Sequence, residues 1–149
     1  MRAVPANAQN IGALCSYMYE KTGVVFEPNL CQGFAIISDT NDFVAGVIIS
    51  NLRHHNGKAI DCEISCATET SIAWHPDVCK AVFGYIFGQL NCTRCTSITK
   101  KNNTKSRSFL EALNFVLEGN VRRGYDGEKD ALIYGLLAED CQFFGGLDG

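Results

Sequence analysis

The sequence lacks the patterns that most often reveal an activity. It contains no GxGxxG or GxxxxGK glycine pattern, no GxSxG elbow and no Ser-His-Asp order. These absences exclude the commonest signatures of dinucleotide binding, phosphate-loop binding and serine hydrolysis. The chain also has no run of about 18 apolar residues and no apolar signal segment near its start. We therefore expect neither a membrane span nor secretion, and we expect a cytoplasmic location.

Positive charge is also scarce. The 13 basic and 16 acidic side chains give a formal net charge of −3, so nucleic acid is not expected as a partner. The 149 residues, 46% of them apolar, fit a single domain spanning 1–149. The last seven residues, 143–149, are rich in glycine, and we expect them to form a flexible tail.

Cysteine, by contrast, is frequent, with 8 residues in the chain. This share lies below the roughly 8–10% that is typical of a disulfide scaffold. Cys62 and Cys66 invite a zinc interpretation, but four residues apart on a strand their sulfurs would be roughly 13 Å apart. Cys92 and Cys95 precede a predicted strand rather than opening a helix. We therefore expect reduced, mostly buried thiols, no metal site and no cysteine nucleophile, while a zinc-binding interaction domain stays a third hypothesis.

The hydrophobic pattern predicts an alternation of helices and strands. Helical spacing predicts helices over 7–21, over about four turns from Pro76, and over 104–113. Runs rich in β-branched and aromatic residues predict strands over 33–38, 43–51, 59–68, 95–99, 115–125 and 131–138. The pair Asn56-Gly57 predicts a tight hairpin turn. The order favours an α/β (α+β) fold with a mixed, mostly antiparallel sheet and helices on both faces.

One segment carries a specific spacing. Asn103 is followed by Ser106, Phe109, Asn114-Phe115 and Glu118-Gly119. This stretch resembles the second half of the GNAT superfamily of acyl-CoA-dependent N-acetyltransferases. Asn114 stands where the family has glycine, a mild change because asparagine also tolerates the left-handed conformation that ends a helix.

The likeness continues to the end of the chain. The residues that follow are similar to the Rim-type branch of the same superfamily, and they are Arg122-Arg123, Asp126-Gly127, Asp130, Tyr134-Gly135 and Glu139-Asp140-Cys141. The matched stretch runs from about residue 62 to residue 144. It implies a splayed sheet of six to seven strands, with acetyl-CoA bound between the strands predicted at 59–68 and 95–99.

The resemblance also implies cofactor-binding residues, which are Ile64, Cys66, Trp74, His75, Asp77, Val78, Lys80, Asn103, Ser106 and Phe109. Two departures from the family stand out. The usual glycine-rich pyrophosphate signature is replaced by residues 70–77, where Asp77 occupies a position that is often basic. Leu110 replaces the tyrosine that protonates the departing thiolate in many members.

Direct attack of an amine on a thioester needs a base for the ammonium and an acid for the thiolate. Strand alternation places Glu63 and Glu69 on one face of the strand 59–68, and both are candidate bases. Ser106 and Tyr134 are candidate thiolate acids. The alternative for the two glutamates is that they are ordinary solvated strand carboxylates.

The leading hypothesis is an acetyl-CoA-dependent N-acetyltransferase whose acceptor is an amine on a protein, a peptide or a small molecule. The alternative is a catalytically lapsed GNAT-like module that binds CoA or a protein. The resemblance places the acceptor near the first helix and the last strand pair, but these residues select no particular amine. The short chain also leaves open an acceptor site completed by a second subunit, as in a homodimer.

Overall fold

A computed structural model describes residues 1–69 and 74–145. Its strands are β1 (Arg2–Pro5), β2 (Gln32–Ile37), β3 (Phe43–His55), β4 (Lys58–Thr68), β5 (Arg94–Lys100), β6 (Val116–Val121) and β7 (Ala131–Leu137). Its α-helices are α1 (Ile11–Thr22), α2 (Pro76–Phe83) and α3 (Thr104–Ala112), and short 3-10 turns lie at Pro28–Leu30 and Ala138–Asp140. The described strands form one sheet in the order β1-β2-β3-β4-β5-β7-β6. Neighbours are antiparallel except β4 and β5, which are parallel. The predicted mixed, mostly antiparallel sheet is confirmed.

The strand predictions differ from the structure at both ends of the sheet. β1 was not predicted, because four residues ending in Pro5 carry too short a pattern to register as a strand. The predicted strand 115–125 is wrong beyond Val121. Arg123 adopts a positive φ of 55° and its N–H donates to Asp130 Oδ1 at 2.9 Å, so the chain turns there toward β7.

The helices also differ from the prediction in where they begin and in their type. Residues 7–10 form a turn instead of the predicted first helical turn, because the Asn7 side chain accepts hydrogen bonds from the N–H groups of Gln9 and Asn10. α1 ends as predicted at Gly23, whose φ of 76° is left-handed. The four turns predicted from Pro76 are helical, but the second half, Gly84–Gln89, is a π-helix.

The helices cover both faces of the sheet, as predicted. On one face α1 packs Leu14, Cys15 and Met18 against β3 and β4. Gly46 permits this close approach, since a Cβ there would lie 3.0 Å from Leu14 Cδ1. On the other face, α2 and α3 pack on the larger core cluster, whose fully buried members include Phe83, Ile86, Tyr134 and Leu136.

The C-terminal segment places two aromatic rings against the core. Phe143 stacks on Phe83 with ring centroids 6.4 Å apart, and Phe144 contacts Phe87 at 5.7 Å. The aromatic rings of these two residues therefore extend the core, and the flexible tail over 143–149 stays a prediction. The remainder of that prediction, 146–149, lies outside the described residues.

The eight cysteines are free thiols, and most of them are buried. Within residues 1–69 and 74–145 no three metal-ligating side chains are grouped together. No helix in the same part of the chain has the length and apolar character to cross a membrane.

Candidate functional site

A gap opens in the middle of the sheet, between the parallel strands β4 and β5. The strands pair at Glu63 and Thr96, and below this point Thr93 N donates to the Ile60 carbonyl at 3.1 Å. No further β4–β5 pairing is found in the described residues beyond Glu63 and Thr96, although both strands continue for several residues. The two strands therefore form a V whose root is at Glu63 and Thr96 and whose mouth lies at their carboxyl ends.

The backbone of β4 presents polar groups to this gap. Glu69 N donates to the Val44 carbonyl at 2.9 Å, which fixes the hydrogen-bonding phase of the β3–β4 ladder. Bonded and non-bonded pairs alternate along an antiparallel ladder, so Ser65 and Ala67 bond to β3 whereas Ile64 and Cys66 turn their N–H and C=O groups toward β5. Ile64 lies next to the root, and Cys66 lies within the open part. An extended chain of amide groups inserted into the gap could pair with Cys66 as a further strand would.

Two helix starts flank the mouth of the gap. α2 follows the end of β4 and α3 follows the end of β5, so the two N-termini and their partial positive charge lie at the same edge of the sheet. The structure thus brings the predicted residues of 74–80 to the same edge as those of 103–109. Part of the predicted phosphate loop, 70–73, lies outside the described residues.

The first turn of α2 is already capped. His75 Nδ1 accepts from Asp77 N at 3.1 Å, and the His75 carbonyl accepts from Val78 N at 3.0 Å. The N–H groups of Asp77 and Val78 therefore already have partners within the chain, because His75 acts as the helix cap. The Asp77 carboxylate adds a negative charge there, and the exposed Lys80 follows about one turn later.

The first turn of α3 is capped in the same way. The Asn103 side chain accepts from Ser106 N at 3.1 Å, so Asn103 fixes where the helix begins beside the gap. Phe109, one turn further along, contacts Trp74 with ring centroids 5.7 Å apart. This aromatic contact joins the two sides of the mouth.

Glu63 stands at the root of the gap on the face that α1 packs against. Its Oε2 accepts a 2.6 Å hydrogen bond from Asn51 Nδ2. Asn51 has a positive φ of 52° at an irregularity of β3, where the pairing shifts between Ser50 and Arg53. Such bulges re-aim side chains, and here the amide is directed at the carboxylate.

Glu69 lies at the other end of β4 and is more strongly held. Its Oε2 accepts from the Tyr17 hydroxyl at 2.8 Å and lies 2.8 Å from Lys21 Nζ. The hydrogen bonds from Lys21 and Tyr17 hold the pKa of Glu69 below its ordinary value. Conversely, burial and the bond to Glu69 raise the pKa of Tyr17.

The two candidate acids, Tyr134 and Ser106, differ in how accessible their hydroxyl groups are to a ligand. Tyr134 is fully buried between β7 and α3, where its hydroxyl donates to Glu111 Oε2 at 3.1 Å and accepts from Arg107 Nε at 3.3 Å. Ser106 belongs to the first turn of α3, beside the mouth of the gap, and its side chain is partly exposed. The phenol is therefore committed to internal partners, whereas the serine hydroxyl can face a ligand.

Sequence reasoning missed a polar network at the root, formed by Asp61, Arg94, Thr96 and Glu118. Glu118 was noted only as part of the resemblance, and Arg94 and Thr96 were not singled out. The signal that points here is strand alternation, which places Asp61 on the same face as Glu63.

A second concavity lies away from the gap, between α1 and the β1 edge of the sheet. It encloses about 340 Å³ and is lined by Val4, Pro5, Ala6, Asn10, Ala13, Leu14, Tyr17, Ala35 and Phe43. Its walls are almost entirely apolar, and Tyr17 is its link to Glu69. None of the predicted cofactor-binding residues lines it.

Comparison with solved structures gives the fold a name. A chimera of the spermidine N-acetyltransferase SpeG from Vibrio cholerae and hSSAT superposes with a TM-score of 0.76 at 12% identity, covering 92% of this chain and 96% of that one. A GNAT-family acetyltransferase from Bacillus anthracis gives a TM-score of 0.64 at 16% identity, covering 93% and 96% of the two chains. Mycobacterium smegmatis RimJ in complex with CoA-disulfide gives 0.62 at 20% identity, covering 92% and 69%.

These similarities establish that the chain has the GNAT acetyltransferase fold, and that its structural neighbours include Rim-type enzymes. By sequence alone, no family model and no curated protein matches it. The fold expected from residues 103–119 is therefore confirmed by structure.

Proposed function

We propose that the protein is an acetyl-CoA-dependent N-acetyltransferase. The observation that carries the proposal is the gap between β4 and β5, which opens past Glu63 and Thr96 with the start of a helix on each side of its mouth. Solved structures with this fold are named acetyltransferases, and one of them is described in complex with CoA-disulfide. The fold and this gap both support the proposal.

The pantetheine arm of acetyl-CoA is a flexible chain with two amides, which suits the backbone groups of Cys66. In this arrangement the arm lies in the gap as an extra strand beside β4. The phosphates lie at the mouth, where Lys80 and the helix starts supply positive potential. Asp77 and the capped N–H groups of α2 weaken this end of the site, so we propose that the pantetheine contacts provide a large share of the affinity.

The chemistry requires no covalent enzyme intermediate. Glu63 accepts a proton from the acceptor ammonium, the freed amine attacks the thioester carbonyl, and the C–N bond forms as the C–S bond breaks. The acceptor ammonium loses two protons in the whole reaction. One is passed by Glu63 to solvent, and the other equals in number the proton that the CoA thiolate takes up. Ser106, at the start of α3, is placed to supply the proton to the thiolate. Glu69 and Tyr134 are already held by internal partners and are the weaker candidates for these two roles.

The acceptor is an amine, and its identity is open among small molecules, peptides and proteins. The neighbours include proteins named for spermidine and for ribosomal protein S5. We therefore propose a panel that contains a polyamine, peptides with free N-termini and a lysine peptide. Release of free thiol from acetyl-CoA, with an acetyl mass added to one of these amines, is the expected result. Binding of acetyl-CoA without release on any amine would instead identify a lapsed CoA-binding module.

A further inference from the structure

Arg94, the first residue of β5, organises the root of the gap. Its guanidinium donates two hydrogen bonds to the Glu118 carboxylate, with Nη2 to Oε1 at 2.8 Å and Nη1 to Oε2 at 3.1 Å. Nη2 also donates to Thr96 Oγ1 at 3.0 Å, and Nε lies 3.3 Å from Asp61 Oδ2. The two-pronged contact with Glu118 has the geometry that only arginine supplies.

These contacts connect three strands. Asp61 belongs to β4, Arg94 and Thr96 to β5, and Glu118 to β6, which is separated from β5 by β7. Thr96 Oγ1 completes the connection by donating to Asp61 at 3.1 Å. The ion pair crosses β7 above Gly135, the strand partner of Thr96, where any Cβ would overlap the Glu118 carboxylate.

The network lies at the level where β4 and β5 make their last backbone pair. Thr96 pairs with Glu63 in the sheet and bonds with its hydroxyl to Asp61, two residues before Glu63. The side chains of Asp61, Arg94 and Glu118 are only 21%, 26% and 36% exposed. Partial burial makes these contacts stronger than ion pairs on an open surface.

The acidic side chains at the root differ in their pairing with Arg94. Arg94 pairs with both Asp61 and Glu118, and the hydrogen bonds that it donates to Glu118 raise the pKa of Arg94, which keeps it cationic. Glu63 has a hydrogen bond from the neutral Asn51, and no cation forms an ion pair with it in the part of the chain that the structure describes.

We propose that Arg94 is a positioning residue of the acetyl-transfer site. By pairing with Asp61 and Glu118 it holds β4 against β5 at the root and leaves Glu63 as the root carboxylate available to an ammonium group. This role rests on the function proposed above, and it identifies the feature that distinguishes Glu63 from the two acidic side chains beside it.

The test uses the full-length chain with the amine that gives turnover in the panel above. Arg94→Met removes the guanidinium, Arg94→Lys keeps the charge without its two-pronged geometry, and Glu118→Gln keeps the shape without the charge. We expect kcat to fall about tenfold or more in Arg94→Met and less in the other two, because small displacements of reacting groups cost large factors in rate. We expect KM for acetyl-CoA to stay within about twofold, because Cys66 and the helix starts lie further along the gap.

Arg2→Met is the matched control, because Arg2 lies at the far edge of the sheet, where it donates a 3.0 Å hydrogen bond to Asn41. If Arg94→Met does not fold, the two conservative variants carry the test. A loss of thermal stability with kcat per folded molecule unchanged would show a merely structural role and overturn the proposal. Absence of turnover in the wild-type protein with every amine would overturn the proposed function and this role together. Turnover in the wild type that the Arg94 and Glu118 variants retain would overturn this role alone.

Discussion

The Tyr17 hydroxyl donates a 2.8 Å hydrogen bond to Glu69 Oε2, and so ties α1 to the residue that follows β4. Lys21, one turn after Tyr17, places its ammonium 2.8 Å from the same oxygen. Glu69 is therefore a connector between helix and sheet. Glu63, six residues earlier on the same face of β4, has one hydrogen-bond donor within residues 1–69 and 74–145, the neutral Asn51, and is better suited to take a proton.

Replacing Glu69 with glutamine should change stability more than turnover. The pKa of Glu69 is lowered in the folded protein, so its ionised form stabilises the fold at pH values above the ordinary glutamate pKa of about 4.3, and this stabilisation is lost as pH falls through the lowered pKa. The melting temperature of the wild type should be higher than that of Glu69→Gln at pH 7, and the difference between the two should shrink below about pH 4. A difference that does not vary with pH would contradict the assignment.

Replacing Glu63 with glutamine should change turnover more than stability. Glutamine can still accept the Asn51 hydrogen bond, so the melting temperature should change little, whereas loss of the base should lower kcat by about 10²–10⁴-fold. Steady-state thiol release, with Glu69→Gln measured in parallel, checks this. If Glu69→Gln is the slower enzyme, the two carboxylates have been assigned the wrong way round.

Tyr134→Phe should destabilise the protein without stopping the reaction. The change removes a buried hydroxyl that bonds Glu111 and Arg107, and leaving such partners unsatisfied costs about 1–3 kcal/mol of unfolding free energy. Tyr125→Phe, in the β6–β7 turn, is the control and should cost much less. Denaturant unfolding gives the free energies. A large fall in kcat of folded Tyr134→Phe would restore this phenol as the thiolate acid.

Asn114 should tolerate glycine and resist alanine. Its φ of 73° is left-handed, and its side chain donates to the Asp140 carbonyl at 3.2 Å. Both substitutions remove the hydrogen bond, but alanine is strained in this conformation by about 1–2 kcal/mol, whereas glycine adopts it freely. Chemical denaturation should therefore give a higher free energy of unfolding for Asn114→Gly than for Asn114→Ala. Equal free energies would show that the backbone there is not strained.

Features set by neighbouring residues were predictable from the sequence. Asn114 at a helix end and the alternation of β4 both follow from local propensity, and the structure bears them out. The resemblance over 103–119 then supplied the fold that the structural comparisons confirm. It also pointed to the gap between β4 and β5, because those strands are defined by their place in the order of elements.

The root of the gap was less predictable. Arg94 and Glu118 are 24 residues apart and meet across an intervening strand, so no periodicity links them. The Asn51 contact with Glu63 depends on an irregularity in β3, and bulges have no reliable local signature. His75 caps α2 by accepting from the Asp77 N–H, so this group has a partner within the chain.

The central claim, that acetyl-CoA lies against β4 in the gap, is tested most directly by hydrogen exchange of single backbone amides. The Cys66 N–H faces the gap, whereas the neighbouring Ser65 N–H faces β3 in the ladder fixed by Glu69 and Val44. Saturating acetyl-CoA should slow exchange at Cys66 and leave Ser65 nearly unchanged. Unaltered exchange at Cys66 with acetyl-CoA demonstrably bound would contradict the account, because the ligand would then occupy another part of the molecule.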